Sequence, residues 1–140
     1  MTHRAIVDTG PLVAFLDADD HYHDWAKASF KELRVPLLTC EAVIAETLYL
    51  LRSLPAACDR IYRWIENDVL VLTFSLAKEV ASIHFLFQKY QDVPISLADA
   101  CLVRMAEIHS RHLIFTLDSD FHIYRKNRNQ VLTLLMPDRS

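Results

Sequence analysis

The sequence has one glycine, Gly10, in 140 residues, where average usage of roughly 7% would give about ten. Repeats, low-complexity segments and internal linkers are absent as well. Cysteine is sparse. Cys40, Cys58 and Cys101 are odd in number and form no Cys-x-x-Cys pair, which points away from a zinc site or a disulfide frame and fits a reducing compartment. Long apolar runs are missing too: Val35 to Leu54 is interrupted by Glu41, Glu46 and Arg52, well short of the roughly 18 clean residues that a membrane span needs. Only three apolar residues separate Arg4 from Asp8, too few for the core of a signal peptide. The expectation is a cytoplasmic protein with no membrane segment. Basic excess is also lacking. A formal net charge of −3 argues against holding a polyanion by bulk charge, so any such attraction must be local, through a metal ion or a small basic patch.

What is present begins at Ala5-Ile6-Val7-Asp8-Thr9-Gly10-Pro11. A short β-branched run meeting an acid, a hydroxyl and Gly-Pro predicts a buried strand that stops at a turn, with Asp8 at its carboxyl end. Glycine there serves a positive φ or a close approach to the backbone, and Pro11 suits a first helical turn. Asp8 can equally be a plain helix cap.

Beyond it, Leu12 to Leu16 predicts a helical turn or two, and Asp20 can cap a helix from about His21 to Leu33 with Tyr22, Trp25, Ala26 and Phe30 as its apolar stripe. A strand at 35–39, helices at 41–53 and 55–68, a strand at 69–73 and a helix at 76–90 follow. Ser96 to Asp99 has the form of a capping box opening an almost wholly apolar helix to about Ser110. Arg104, Glu107 and Arg111 read as its solvated edge, with Glu107 and Arg111 at helical pair spacing. His112 to Thr116 is a further strand, closed by Leu117-Asp118-Ser119-Asp120-Phe121 in the manner of the opening stretch. Arg125, Lys126 and Arg128 form a short basic loop, and Val131 to Leu135 a last edge strand. The alternation predicts a single α/β domain with a parallel sheet over residues 1–136, and a tail at 137–140.

Ligands of open parallel sheets bind beyond the strands' carboxyl ends, where the strand order reverses. Asp8 and Asp118 fall there if their strands are neighbours. Glu46 has Ala42, Val43, Tyr49 and Leu50 one turn away, so it is expected on an apolar face with a partner, an arginine or a site. Asp99 begins a buried helix, where it could simply complement the dipole. Four carboxylates gathered for packing alone would repel, by roughly 4 kcal/mol for a pair about 4 Å apart at an effective dielectric near 20. A divalent cation removes that conflict, and an all-oxygen donor set favours Mg²⁺ or Mn²⁺.

Asp8-Thr9-Gly10 after a strand, Val43-x-x-Glu46, Ser96-x-x-Asp99-Ala100, and Thr116-x-Asp118-x-Asp120-Phe121 together resemble the PIN domain family, in particular its VapC-like toxins. Asp20-x-x-His23-x-x-Ala26 extends the likeness over nearly the whole chain. The resemblance implies a three-layer α/β/α fold with a central parallel sheet of about five strands, and a metal-dependent ribonuclease with Asp8, Glu46, Asp99 and Asp118 as its acids, the three aspartates holding one or two ions. Thr9, Thr116 and Asp120 would support them, and Arg125, Lys126 and Arg128 would touch the RNA backbone. It also implies an antitoxin partner, expected near Tyr49 to Trp64, and a homodimer. A housekeeping RNA-processing nuclease and a PIN-like binding module without activity are the competing readings. Dehalogenase-type phosphatases and receiver domains fit less well, since both expect a second acid near Asp8.

Overall fold

A computed structural model describes residues 3–138; Arg139 and Ser140 of the expected tail, with Met1 and Thr2, lie outside the described residues. In chain order the first half comprises β1 (Ala5–Val7), α1 (Thr9–Leu16), α2 (His23–Lys31), β2 (Leu37–Thr39), α3 (Glu41–Leu50), α4 (Pro55–Glu66) and β3 (Leu70–Leu72). The second half comprises α5 (Leu76–Lys89), α6 (Leu97–Ile108), β4 (Leu113–Phe115), a 3-10 turn at Ser119–His122, β5 (Arg125–Lys126), β6 (Gln130–Val131) and β7 (Leu134–Leu135). Five strands make one parallel sheet in the order β3-β2-β1-β4-β7, and with the helices it forms the expected three-layer α/β/α architecture.

The central strand β1 is buried along its whole length, which is why Ala5-Ile6-Val7 is a continuous apolar run rather than an alternating one. From β1 the chain builds outward on one side through β2 and β3, then crosses to build β4 and β7 on the other. The order therefore reverses between β1 and β4, where Val7 pairs with Phe115 and the Asp8 amide donates to the Phe115 carbonyl at 2.9 Å. An aromatic cluster ties helices to the sheet: the Phe30 ring lies 4.6 Å from Phe15 and 5.1 Å from Phe115, and Trp25 lies 5.4 Å from Phe115. The α6 helix packs against β1 and β4, and Ala98, Ala100 to Val103, Met105 and Ala106 are buried in it. No helix among the described residues is long and apolar enough to cross a membrane.

Several local expectations are corrected. The α2 helix starts at His23 with no side-chain cap; Asp20 instead accepts the Tyr22 amide at 2.8 Å in a turn, and His23 Nδ1 lies 2.8 Å from the Ala14 carbonyl. Within the Asp20-His23-Ala26 group it is thus His23 that fastens α2 to α1. Arg104 pairs with Glu79 at 2.7 Å and with Glu107 at 3.1 Å. Arg111 stands past the end of α6, so the i,i+4 geometry with Glu107 does not exist. The basic loop and last strand are also rearranged: Arg125 and Lys126 pair antiparallel with Val131 and Gln130 in a separate hairpin, and only Leu134–Leu135 joins the main sheet. Asn127 and Arg128 take the left-handed backbone of its turn, at φ 49° and 77°.

Candidate active site

Asp8, Thr9, Glu46, Ser96, Asp99 and Asp118 line one open cleft of about 440 Å³ beyond the carboxyl ends of β1 and β4. Each acid arrives by a different local device. Asp8 leaves β1 in extended backbone and caps α1, its Oδ1 accepting the Thr9 amide at 2.7 Å; the capping and cleft-facing readings are both true of the same side chain. Its Oδ2 accepts the Thr116 hydroxyl at 2.7 Å. Thr116 Oγ1 in turn accepts the Asp118 amide at 3.0 Å, so one buried hydroxyl sets both the Asp8 carboxylate and the backbone that carries Asp118. The Asp120 amide donates to Asp118 Oδ1 at 2.9 Å. Asp99 is placed by its cap, since Ser96 Oγ accepts the Asp99 amide at 3.0 Å.

Gly10 has no positive φ; its role is the close approach. A Cβ built on it would stand 3.0 Å from the Leu117 Cβ and 3.2 Å from its Cδ1, so the missing side chain lets the β4 loop close down on the start of α1.

Glu46 departs from expectation. It is exposed, and no ion pair holds it among the described residues. The apolar side of α3 is Val43, Ile44 and Thr47, which leaves Glu46 at the cleft rim, where its charge is felt by Asp8. Asp120 does not line the cleft; its charge bears on Tyr124. Arg125 is occupied elsewhere, since its guanidinium donates to the carbonyls of His122, Ile123 and Tyr124 at 2.6, 3.1 and 3.0 Å. Lys126 is half-buried and Arg128 exposed on the hairpin. Sequence reasoning missed Tyr124, which is fully buried and whose hydroxyl lies 3.4 Å from Asp99 Oδ2. Its only signal was an aromatic residue three positions after Phe121.

The electrostatics of the cleft are those of carboxylates lacking a counter-charge. Burial, then the charges of Asp118 and Glu46, push Asp8 up to about 6 against the lowering hydrogen bonds from Thr116 and Thr9. Burial, Asp8 and Asp118 push Asp99 up to about 7. No three His, Cys, Asp or Glu side chains among the described residues are drawn together tightly enough to cage an ion. The donor set nevertheless fits a hard divalent cation: it is all oxygen, it is short of positive charge, and the buried Thr9 Oγ1 has no hydrogen-bond partner. Acids spaced around an open cleft match an ion that keeps most of its own water, as Mg²⁺ does. A larger groove of about 590 Å³, bordered by Cys40, Phe74, Leu76, Leu97 and Cys101, offers Glu41 as its single carboxylate and lacks this chemistry.

Comparison with known proteins agrees with the geometry. No curated protein matches the sequence. Among solved structures, the Mycobacterium tuberculosis VapC20 toxin, described as cleaving the sarcin-ricin loop, is similar at a TM-score of 0.74 and 20% identity, over 83% of this chain and 91% of that one. The PIN domain family model matches residues 5–127. With the match running from the first strand into the hairpin, the chain belongs to the PIN domain family.

Proposed function

We propose that the protein is a divalent-metal-dependent ribonuclease, the toxin of a toxin-antitoxin pair acting in the cytoplasm. The observation that carries this reading is the meeting of Asp8, Glu46, Asp99 and Asp118, from four separate stretches of chain, in one cleft at the reversal of strand order. Family membership and the likeness to a toxin that cleaves RNA support the choice of substrate.

Asp8, Asp99 and Asp118 would hold Mg²⁺ or Mn²⁺, directly or through water. When bound, such an ion supplies an activated water and neutralises charge growing on the phosphate. The chain's own contribution is positional. Thr116 keeps the Asp8 carboxylate aimed into the cleft, and the Thr9 and Thr116 hydroxyls complete its polar floor. Glu46, exposed at the rim, would orient the attacking water or help to hold a second ion. Lys126 and Arg128 meet the RNA backbone from the hairpin, whereas Arg125 braces the 3-10 turn and leaves the contact set. The exposed apolar side chains of Tyr49, Leu50, Leu54 and Tyr62 give an antitoxin its seat, and Leu50 also lines the cleft, so a partner there covers the site. Trp64, packed against Phe15 and Phe30, takes no part. Homodimerisation belongs to the same proposal and is read by sizing the purified protein.

The deciding experiment incubates partner-free protein with a structured RNA pool and Mg²⁺ or Mn²⁺, beside EDTA and an Asp8→Asn variant. Cleavage that needs metal and is lost at least a hundredfold in the variant is the expected result. Inactivity with both metals on varied RNAs would instead favour a binding module.

A further inference from the structure

The amino ends of the strands carry the opposite chemistry. His3 and Arg4 precede β1, Arg111 and His112 precede β4, and Thr133 precedes β7; with Ser110 they line a pocket of about 310 Å³ that contains no acid. The His3, Arg4 and Thr133 backbones belong to the sheet's hydrogen-bond network. The His3 carbonyl accepts the Arg34 amide at 2.8 Å, the Arg4 carbonyl accepts Leu113 at 3.0 Å, and the Thr133 carbonyl accepts Ile114 at 2.8 Å. Arg4 therefore stands on a fixed position in the sheet, and the His112 amide, donating to the His109 carbonyl at 3.0 Å, closes the turn that carries Arg111.

Neither arginine has an ion-pair or side-chain hydrogen-bond partner among the described residues. This is unusual company for a chain of net charge −3. Burial first, then the charges of His109 and Arg4, hold the half-buried His112 below the usual range, and the His109 ring is 5.3 Å away. A neutral imidazole still offers one N–H. Two guanidinium forks, two imidazoles and two hydroxyls from three strand ends line the pocket, a donor set that suits an oxyanion with several acceptor oxygens.

We propose that this pocket binds a phosphate group, with Arg4 and Arg111 as its charged contacts and His112, Ser110 and Thr133 completing the donors. The group is either a free phosphate, as on a nucleotide, or a phosphodiester of an RNA backbone. The site lies across the sheet from the acidic cleft and does not depend on the reading of that cleft.

The test is done in EDTA, so that no metal bridges phosphate to the acids. Histidine imidazole resonances of the full chain are followed by NMR while inorganic phosphate is added at constant ionic strength, and a 2′-O-methyl oligonucleotide, which resists cleavage, is titrated in parallel. The Arg4→Gln/Arg111→Gln double variant serves as control, with thermal melting to confirm its fold. A saturable phosphate shift, weakened at least tenfold in the variant while the oligonucleotide binds equally to both proteins, establishes a free-phosphate site. Oligonucleotide binding whose salt slope falls by about 1.4 in the variant, about 0.7 per lost contact, assigns the site to RNA backbone. No binding in either titration, or binding that the folded variant retains, would overturn the proposal.

Discussion

Asp8 stands at the point where strand, helix and cleft meet, and its ionisation is the most informative quantity at the residue scale. Folding raises its pKa from 3.8 to about 6, chiefly by burial, so between those values the folded chain binds more protons than the unfolded one. The stability this group contributes in metal-free protein is complete below about pH 4 and is lost as pH rises through about 6. A shift of about two units corresponds to about 3 kcal/mol. Asp8→Asn should therefore abolish activity yet stabilise the metal-free chain at pH 8 by up to this amount, with the difference vanishing near pH 4; denaturant melts in EDTA at the two pH values read it. A variant less stable than wild type at pH 8 would show that Asp8 is held by its hydrogen bonds rather than strained by its surroundings. Asp8, Asp99 and Asp118 were legible in the sequence because each follows a strand or opens a helix with a recognisable cap. The environment of Glu46 was not, since Ala42, Tyr49 and Leu50 look like a buried stripe but Tyr49 and Leu50 are exposed.

At the scale of elements, the meeting of α1 with the β4 loop depends on an atom that is missing. Gly10→Ala gains helix propensity of somewhat under 1 kcal/mol, against overpacking on Leu117 that costs about 1–3 kcal/mol. The net expectation is a destabilisation of about 1 kcal/mol, together with a loss of cleavage greater than the unfolded fraction explains, because Leu117 carries Asp118. Thermal melts and RNA cleavage at 20 °C separate the two effects; an activity loss no larger than the unfolded fraction would make Gly10 a packing residue only. The α6 helix illustrates what was readable: Ser96-x-x-Asp99 predicted its cap, and its apolar content predicted its burial. The C-terminal hairpin illustrates what was not. Strands of two residues are too short to show periodicity, and the left-handed turn falls on Asn127 and Arg128 where a glycine would have marked it.

At the scale of the molecule, acids and cations occupy opposite ends of one sheet. A divalent ion that binds only the folded chain stabilises it by about 1.4 kcal/mol at ten times its dissociation constant, or about 5 °C in melting temperature for a chain of this size. Because the carboxylates must be ionised to receive it, and Asp8 and Asp99 titrate near 6 and 7, the shift should be present at pH 8 and much reduced at pH 5.5. Scanning calorimetry with and without Mg²⁺ tests this; an equal shift at both pH values would place the ion elsewhere.

The strand order has a consequence for the cell that makes the protein. β1 is synthesised early, but its partner β4 and the loop bearing Asp118 come more than a hundred residues later. A nascent chain still short of Asp118 carries Asp8, Glu46 and even Asp99 without the strand that closes the cleft around them. A chain that stops before β4 would thus hold three of the acids with no strand to bring the fourth to them, and should neither bind the ion nor cut RNA.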